Sequence, residues 1–459
     1  MADADLIVIG AGTGGYSCAL RAAQLDKEVI LVERDERVGG TCLLRGCIPT
    51  KALLESAATL DRVNRSEEWG IKASGEPDWE GIQAFENKIV DKLVNGLTGL
   101  LKARKVQVVR GTAKLTGANT IEVDGKKLEA PNIVIATGSY AKMLPDLTVG
   151  DRIITSDQAL WTEHLPGSVI VIGAGAVGLE FASLYRSFGA EVTIVEALDR
   201  LAPLEDEEIS KEVARAFRKR GVEAHIGAKV QGVMESKDRA LITVETAKGE
   251  TMELGADVCL VAVGRGPSSE GIGLEEAGIE IERGFVKVDG HLQTSVKGVW
   301  AIGDVAATPF QLAHVSMAEG IAVAERIAGQ DVPEIAYAGV PRVTFSSPEI
   351  ASVGLTEAQA KERGHDTVIQ KFSFQGIGKA NILGEGGTVK LVAEKDGGPV
   401  LGVHMVGPHV TDLISEAMLI TNWEAIPAEV AALIHPHPTL SEGIGEAHLA
   451  LAGKPLHGM

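Results

Sequence analysis

Two cysteines in one glycine-rich segment carry the most direct chemical signal in this sequence of 459 residues. Cys42 and Cys47 lie in the segment GGTCLLRGCIPTK at residues 39–51. In a regular helix, residues five apart are rotated by about 140° from each other, whereas a disulfide needs Cα atoms within about 6.8 Å. A bridge therefore requires a distorted segment, which Gly46 permits. The spacing alone is equally compatible with a redox-active pair and with two buried reduced thiols.

A second chemically suggestive segment, HPHPTLSE, stands near the C-terminus at residues 435–442. A histidine fixed by prolines, with a carboxylate five residues later, suits an oriented general base. His437 and Glu442 are the candidates, and His435 is expected to support the turn. The segment alone also fits a proline-rich turn with solvent-exposed histidines.

Two glycine-rich turns provide the frame that must position this chemistry. In both, a buried strand pattern leads into G-x-G-x-x-G, then a helix pattern, a second strand and an acidic residue. The members are Gly10, Gly12, Gly15 and Glu33 in the first copy, and Gly173, Gly175, Gly178 and Glu196 in the second. The distance from the first glycine to the acid is 23 residues in each copy. Equal spacing predicts two dinucleotide-binding units, with a pyrophosphate at each helix N-terminus and a ribose at each acid.

The remaining strand patterns complete a predicted α/β architecture of about three domains. Buried strands ending at a glycine occur at residues 133–139, 258–265 and 299–304. The resulting map has a first nucleotide unit at 1–145, a second at 146–265, a return to the first at 266–338, and a last domain at 339–459. In the last domain, strand-like segments (342–345, 388–393, 401–406) alternate with helical ones (358–363, 412–422, 428–433). A helical stripe of Ile82, Phe85, Ile89, Leu93, Leu97 and Leu100 is expected to pack in the core.

Composition limits the classes of partner. Lys and Arg number 44 against 63 Asp and Glu, so the net charge is −19, which disfavours nucleic acid and anionic lipid surfaces. No apolar run approaches the ~20 residues of a membrane span, and no targeting segment is visible, so a cytoplasmic enzyme is expected. The four cysteines form no disulfide scaffold, and Cys18 and Cys259 are expected in the core. No metal site is predicted, because metal sites usually offer more ligands at closer spacing.

Taken together, these motifs resemble the flavoprotein disulfide reductase family over essentially the whole chain. The shared pattern joins G-G-T-C-x-x-x-G-C-I-P-x-K, both glycine fingerprints, ATGS at 136–139, AIGD at 301–304 and the terminal H-P-T-x-x-E. Within that family the pattern most resembles the enzymes that oxidise dihydrolipoamide with NAD⁺. The resemblance implies FAD- and NAD-binding Rossmann-like domains, a C-terminal α+β dimerisation domain and a homodimer. It also implies that electrons pass from the dithiol through FAD and then as hydride to NAD⁺.

The resemblance also assigns residue roles. Cys42 would exchange with the substrate dithiol, and Cys47 would face the flavin as a charge-transfer thiolate. His437, oriented by Glu442, would act as acid and base on the disulfide of the other subunit. Lys51 would lie near the flavin and pair with Glu180. Positions matching FAD contacts are Gly10, Gly12, Gly15, Glu33, Thr41, Ala113, Thr137, Gly138, Asp304 and Ala313. Positions matching NAD contacts are Gly173, Gly175, Val177, Gly178, Glu180, Glu196, Val230 and Gly264.

The choice among family members rests on a few residues. Glu196 favours NAD over NADP, because it can bond a ribose hydroxyl but would repel a 2′-phosphate. The implied partner is a lipoyl-bearing protein of a 2-oxoacid dehydrogenase complex or of the glycine cleavage system. The alternatives are a glutathione- or mercuric-reductase-like enzyme and a redox-idle docking component of a multienzyme complex. Arg45 and Pro436 depart from the usual family pattern, and we expect them to tune the redox potential or docking.

Overall fold

Runs of branched apolar residues form the strands, and a computed structural model describes residues 2–457 of the chain. The helices, in chain order, are α1 Thr13–Gln24, α2 Gly40–Arg45, α3 Cys47–Asn64, α4 Trp79–Ala103, α5 Ser156–Ala159, α6 Ala176–Ser187, α7 Glu207–Lys219, α8 Ala313–Ile327, α9 Glu357–Glu362, α10 Gly378–Leu383, α11 Val410–Asn422, α12 Pro427–Val430 and α13 Glu442–Leu451. Short 3-10 turns occur at Ser66–Trp69, Gly303–Val305, Tyr337–Gly339 and Phe374–Gly376.

The strands, in the same order, are β1 Leu6–Ile9, β2 Val29–Glu33, β3 Gln107–Arg110, β4 Ala113–Gly117, β5 Thr120–Val123, β6 Lys126–Glu129, β7 Asn132–Ile135, β8 Ser139–Ala141, β9 Ile153–Ile154, β10 Ser168–Ile172, β11 Glu191–Glu196, β12 Glu223–Ile226, β13 Lys229–Glu235, β14 Ala240–Glu245, β15 Thr251–Ala256, β16 Val258–Val261, β17 Arg265–Pro267, β18 Ile281–Glu282, β19 Phe285–Val286, β20 Val299–Ala301, β21 Arg342–Thr344, β22 Glu349–Gly354, β23 Thr367–Ser373, β24 Thr388–Glu394 and β25 Val400–Gly407. They fall into two compact units. The first unit contains the chain up to Leu53, Glu80–Lys142 and Arg265–Tyr337, and the second contains Leu54–Trp79, Met143–Gly264 and the chain from Ala338 onward.

The first unit is built on a parallel sheet with the strand order β20-β7-β1-β2-β3. Its central strand β1 is fully buried and pairs in parallel with β2 and β7. Helices α1 and α8 pack against each other beside this sheet. A small antiparallel sheet, β4-β5-β6, supplies Leu115 and Ile121 to the same core. The predicted doubly wound nucleotide unit is thus present, with an antiparallel addition that the sequence analysis did not anticipate.

The second unit contains another parallel sheet, ordered β12-β11-β10-β16-β9, and a three-stranded antiparallel sheet of β13, β14 and β15. Its C-terminal part is an antiparallel sheet with the order β21-β22-β25-β24-β23. Helices α11 and α13 contact this sheet, and Ile414 and Ile444 lie in its core. Strands β22 and β23 were not predicted, and the predicted helix at 428–433 ends at Val430. The predicted fold class, two Rossmann-like units and a C-terminal α+β part, is confirmed.

Backbone contacts explain the third glycine of each fingerprint. A Cβ atom added at Gly15 would lie 1.8 Å from the carbonyl oxygen of Gly10, and one at Gly178 would lie 1.9 Å from that of Gly173. No side chain fits at such distances, so α1 and α6 can start this close to their strands only with glycine. These glycines are therefore required by the protein's own packing.

The predicted core stripe on α4 is only partly confirmed, because Leu97 packs against the core and Ile82 and Ile89 are half-buried, whereas the other three members are exposed. Phe85, Leu93 and Leu100 are 41%, 41% and 46% exposed. The buried face lies one position away, where Val90 and Val94 pack with Leu43 of α2. Because α4 carries apolar residues on two adjacent faces, spacing alone did not decide which face the chain covers. The two cysteines expected in the core are fully buried, so that prediction is confirmed, and no helix among residues 2–457 is long and apolar enough to cross a membrane.

A buried ion network joins the C-terminal sheet to the N-terminus of α7. The ammonium of Lys390 donates to Asp206 and Glu357 at 2.8 Å each, and the Lys390 side chain is only 2% exposed. Asp206 also caps α7 by accepting the backbone N–H of Glu208 at 3.0 Å. Burial alone would raise the pKa of Asp206, but the hydrogen bond from Lys390 and nearby positive charge lower it. The network thus holds an ionised carboxylate inside the fold.

Removing the Lys390 side chain should therefore lower the free energy of unfolding far more than removing an exposed lysine side chain. We expect Lys390→Ala to lower the free energy of unfolding by about 3–5 kcal/mol, because it leaves Asp206 buried and uncompensated. The control is Lys395→Ala, whose partner Asp366 is 73% exposed, and here we expect little or no change in the free energy of unfolding, because solvent screens an exposed ion pair. Urea unfolding followed by circular dichroism measures both. Because the Asp206 pKa is lowered, the wild-type advantage should persist at neutral pH and shrink below about pH 3.9; equal losses in both variants would contradict this account.

Candidate active site

A break between two helices brings the cysteine pair together. Helix α2 ends at Arg45 and α3 begins at Cys47, with Gly46 between them outside either helix. A Cβ atom at Gly46 would lie 2.9 Å from the carbonyl oxygen of Thr41, so the close turn requires glycine. Cys42 and Cys47 are both partly buried, and their thiols are hydrogen-bonded to each other. The distorted segment that a Cys42–Cys47 bridge would require is therefore present.

The surroundings of the pair distinguish the two sulfur atoms. The hydrogen bond to Cys47 raises the pKa of Cys42, burial and the negative charge of Asp304 raise it further, and only the ammonium of Lys51 opposes them. Burial raises the pKa of Tyr16 too, and the charges of both cysteines add to that rise. These surroundings favour the protonated form of Cys42.

Asp304 is held in place by two residues, Ser139 and Arg265, that were not among the candidate site residues. The Ser139 hydroxyl donates to Asp304 Oδ2 at 2.5 Å. Arg265 Nε donates to Ser139 Oγ at 2.7 Å and lies 3.9 Å from Asp304 Oδ2. Ser139 belongs to the predicted ATGS segment, and Arg265 follows the glycine of the second predicted strand end. In the sequence, the role of these two residues was therefore indicated by their positions after buried strands.

The turn that carries Asp304 is held by a buried carboxyl group. Glu319 of α8 is fully buried and accepts the Gly303 N–H at 2.6 Å and the Tyr337 hydroxyl at 2.7 Å. Burial raises the pKa of Glu319, although both hydrogen bonds act in the opposite direction. Nothing in the helical pattern around Glu319 indicated this role, because its partner is a backbone amide distant in sequence.

Arg45, which departs from the family pattern, has a specific partner. Its guanidinium lies 2.5 Å from Asp35 Oδ2 in a partly buried ion pair. Arg110 donates to the backbone carbonyl of Asp35. Asp35 follows β2, so this pair ties the cysteine-bearing helix α2 to the loop after the first acidic fingerprint residue.

The two acidic fingerprint residues occupy equivalent positions. Glu33 accepts the Ala11 N–H at 2.7 Å and the Asp35 N–H at 2.9 Å. Glu196 accepts the Ala174 N–H at 2.6 Å and the Leu198 N–H at 2.8 Å. In each unit the carboxylate therefore bridges the glycine turn and the loop that follows the second strand. Both are buried acceptors at the carboxyl ends of parallel strands, where such sheets bind ligands.

The second glycine of each fingerprint tests whether a dinucleotide fits. A Cβ atom at Gly175 would have no atom of the described residues within 4 Å, and one at Gly12 would meet only the Cα of Gly40 at 3.9 Å. Packing within the chain thus does not require glycine at either position. Open space above a helix N-terminus is what the approach of a pyrophosphate requires. The residues present therefore fit one dinucleotide in each unit.

The other predicted contact residues lie around these turns. Ala113 begins β4, Ala313 begins α8, Thr41 is in α2, Val177 in the first turn of α6 and Val230 in β13. Gly138 and Gly264 have φ of +72° and +106°, conformations that favour glycine. The Thr137 hydroxyl donates to the Ser268 carbonyl at 2.7 Å, and Glu180 accepts the Phe345 N–H at 2.9 Å. The pairing of Lys51 with Glu180 stays a prediction.

The proline-rich turn presents an oriented histidine. His437 Nδ1 lies 2.8 Å from Glu442 Oε1, and Glu442 Oε2 accepts the Thr439 N–H at 2.8 Å. The His437 side chain is 76% exposed, whereas that of Glu442 is 22% exposed. Burial alone would raise the pKa of Glu442, but the hydrogen bonds from His437 and Thr439 lower it. The turn therefore holds an ionised carboxylate behind an accessible imidazole.

The predicted catalytic residues thus form two groups. The thiols, Lys51 and Asp304 come together in the first compact unit, and the His437–Glu442 pair lies in the second. The first group can exchange electrons by thiol–disulfide chemistry, and the second can accept and return a proton at the exposed Nε2 of His437.

Comparison with known proteins places this geometry in a family. Residues 4–320 match the model "Pyridine nucleotide-disulphide oxidoreductase", and residues 340–448 match the dimerisation domain of the same family. The chain is 44% identical to the dihydrolipoyl dehydrogenase of Bacillus subtilis, with 99% of both chains covered. It is 42% identical to the enzyme of that name from Thermus scotoductus, over 99% of this chain and 98% of that one.

Solved structures show the same fold. The crystal structure of LpdA from Mycobacterium tuberculosis superimposes with a TM-score of 0.89 at 27% identity, covering 97% of this chain and 99% of that one. The HOCl-induced flavoprotein disulfide reductase RclA from Escherichia coli gives a TM-score of 0.88 at 26% identity, covering 98% and 100%. With a cysteine pair and two dinucleotide turns matched by family models and full-length relatives, the chain belongs to the pyridine nucleotide-disulphide oxidoreductase family.

Proposed function

We propose that this chain oxidises protein-bound dihydrolipoamide to lipoamide through a Cys42–Cys47 redox disulfide and passes the electrons by way of FAD to NAD⁺. The observation that carries the proposal is the hydrogen-bonded Cys42–Cys47 pair at the α2–α3 break. It occurs in a chain whose full-length relatives are named dihydrolipoyl dehydrogenase.

The reaction begins with a proton transfer. The nucleophile in thiol–disulfide exchange is the thiolate, so one thiol of dihydrolipoamide must lose its proton first. His437 Nε2 accepts this proton, because Nδ1 is already engaged by Glu442 at 2.8 Å. The ionised Glu442 stabilises the imidazolium that results. In the proposed homodimer, His437 acts on the disulfide of the other subunit.

The exchange then runs in two steps. The substrate thiolate attacks the Cys42 sulfur of the Cys42–Cys47 disulfide, so that a mixed disulfide forms and Cys47 leaves as thiolate. The second substrate thiol loses its proton and attacks the substrate sulfur of the mixed disulfide, which closes lipoamide and releases Cys42. One substrate dithiol is oxidised and one protein disulfide is reduced, and the two protons remain with the protein and solvent.

Bound FAD and NAD⁺ would supply the rest of the redox chemistry, which is the transfer of two electrons from the reduced cysteines to the nicotinamide. In the first unit, the turn from Gly10 to Gly15, with Glu33 and Asp304, would hold FAD. In the second, the turn from Gly173 to Gly178, with Glu196, would hold NAD. The other residues matched by resemblance, from Thr41 and Lys51 to Val230 and Gly264, complete these proposed sets.

NAD is preferred over NADP because of Glu196. Its carboxylate is held by the Ala174 and Leu198 amides and is buried at the end of β11. A ribose hydroxyl can donate to it, whereas a 2′-phosphate would be repelled. The nearby Arg200 is engaged with Asp199 at 3.7 Å and with the Pro203 carbonyl at 3.3 Å.

The proposed function also implies an oligomeric state, a set of domains and a partner protein. The dimerisation domain at 340–448 supports a homodimer. We place the FAD domain at 1–145, the NAD domain at 146–265, the return to the FAD domain at 266–338 and the dimerisation domain at 339–459. The partner is a lipoyl-bearing protein of a 2-oxoacid dehydrogenase complex or of the glycine cleavage system, and the enzyme works in the cytoplasm.

The first prediction tests the reaction itself. The purified holoenzyme should form NADH from dihydrolipoamide and NAD⁺ under anaerobic conditions, with NADP⁺ a poor substitute. Cys47→Ser should abolish this activity, because no disulfide can form. Cys259→Ala, which removes a fully buried thiol outside the site, should retain it. Absorbance of NADH measures all three; bound flavin without NADH formation by the wild-type enzyme would overturn the assignment.

The second prediction concerns the acid–base pair. We expect His437→Gln to lower kcat by roughly 10²-fold or more, because the substrate thiol loses its base. Glu442→Gln should cause a smaller decrease, since the imidazole remains but loses its oriented carboxylate. Glu394→Gln is the matched control, because Glu394 makes a similar 2.7 Å contact with His365 outside the site. Steady-state NADH formation measures the effect, and equal losses in Glu442→Gln and Glu394→Gln would argue against a catalytic dyad.

The third prediction concerns the second dinucleotide turn. Gly175→Ala should fold like the wild type, because the added methyl meets none of the described atoms within 4 Å. It should nevertheless raise the KM for NAD⁺ by roughly tenfold or more, because the methyl occupies the space of the pyrophosphate. Gly96→Ala on α4 also adds a methyl to open space and should leave this KM unchanged. An unchanged KM in Gly175→Ala would mean that NAD binds elsewhere.

A further inference from the structure

A second histidine–carboxylate pair stands beside the first. His435 Nε2 lies 2.8 Å from Glu416 Oε1, and the His435 side chain is only 12% exposed. Glu416 belongs to α11, whereas Glu442 begins α13. The two histidines are separated by one proline in sequence, so the same turn carries one imidazole inward to Glu416 and the other, His437, outward to solvent.

Helix α13 holds the inward imidazole in place. A Cβ atom at Gly445 would lie 2.6 Å from His435 Nδ1, so the ring packs directly on the backbone of α13 and requires glycine there. Because α13 begins with Glu442 three residues earlier, the ring, the helix and the carboxylate that orients His437 form one packed group. Movement of His435 would therefore displace the start of α13.

The charges around His435 link it to the proposed catalytic pair. The hydrogen bond that His435 donates to Glu416 raises the pKa of His435, burial opposes this, and the negative charges of Glu416 and Glu442 raise it further. His435 as a cation therefore lies within the electrostatic reach of Glu442. A positive charge on His435 would in turn partly offset the negative charge of Glu442.

Two other histidines border this group. His448 of α13 is fully buried, and burial lowers its pKa to about 4, so it is neutral at physiological pH. Its Nδ1 lies 2.7 Å from the Ile444 carbonyl, and its Nε2 has no hydrogen-bond partner within residues 2–457. His457 lies 2.8 Å from Glu446 and adds a weak positive influence at Glu442. Among the histidines near Glu442, His435 is thus the buried one that can carry charge.

We propose that Glu416 and His435 form a positioning pair that fixes the His437 turn and offsets the charge of Glu442, thereby setting the pH range over which His437 accepts a proton. The proposal rests on the function of His437 proposed above. His435 and Glu416 touch neither substrate nor cofactor in this scheme. They act through Glu442 and the start of α13.

Two substitutions separate charge from orientation. His435→Gln removes a positive charge but keeps a hydrogen-bond donor toward Glu416. The negative charge of Glu442 is then offset less, which favours the protonated form of His437. The acid side of the pH profile of kcat/KM for dihydrolipoamide should then move to higher pH by roughly half a pH unit, a loss of about threefold below it. Glu416→Gln removes one negative charge and also favours neutral His435, so the net local charge is nearly unchanged. Its profile should shift less than that of His435→Gln.

The matched control is His365→Gln, which breaks a histidine–glutamate contact of 2.7 Å at the edge of the same C-terminal sheet. We expect its profile to coincide with that of the wild type. A profile of His435→Gln that coincides with the wild type, or an equal shift in His365→Gln, would overturn the proposal. Dimeric state and bound flavin are checked in each variant, so that a folding defect is recognised, and Glu416→Gln then carries the test.

A second measurement does not depend on turnover. In holoenzyme labelled with ¹³C at histidine Cε1, the His437 signal, assigned by its loss in His437→Gln, should titrate at higher pH in His435→Gln than in the wild type. An unchanged His437 titration would overturn the proposal. If the wild type forms no NADH from dihydrolipoamide, the proposed function fails, whereas the histidine titration still decides the electrostatic coupling.

Discussion

In each glycine fingerprint, the first turn of the helix packs directly against the backbone of the first glycine, and the arrangement of both nucleotide units follows from this contact. At Gly15 and Gly178 even one methyl group would collide with the carbonyl oxygen that ends the preceding strand. This contact places the N-terminus of each helix over the carboxyl end of its sheet, and it lets Glu33 and Glu196 reach back to the turn. Both dinucleotide sites, and the position of α2 with its cysteines after β2, follow from it.

Much of this could be predicted because glycine, cysteine and acidic residues signal their roles through spacing. The equal intervals in the two copies identified both units, and Gly46 correctly indicated a break between the cysteines. The small antiparallel sheets and strands β22 and β23 were missed, because their alternation is short and has no distinctive turn residues. Phe85, Leu93 and Leu100 of α4 were assigned to the core although they are exposed, since two neighbouring apolar faces cannot be ranked by periodicity.

The candidate site likewise contains residues that sequence spacing could indicate and residues that it could not. Candidate reacting residues could be proposed from motifs, because their chemistry requires particular side chains in a fixed order, and their roles stay predictions. The residues that hold them could not, since Glu319 supports Asp304 through the amide of Gly303, and Glu416 reaches His435 from another helix. Such contacts join positions far apart in sequence, and either residue alone looks like an ordinary helical glutamate. Lys390, buried with Asp206, belongs to the same class.

The attachment of Glu196 to its own backbone bears on the redesign of coenzyme choice. The carboxylate satisfies the amides of Ala174 and Leu198. Exchanging it for a small neutral residue to admit a phosphate would leave those two amides unsatisfied, at a cost of roughly 1–3 kcal/mol each where they stay dry. If Glu196 selects the coenzyme as proposed, loop conformation and coenzyme selectivity depend on one side chain. A redesign toward NADP would then have to supply new acceptors for these amides together with a new cation.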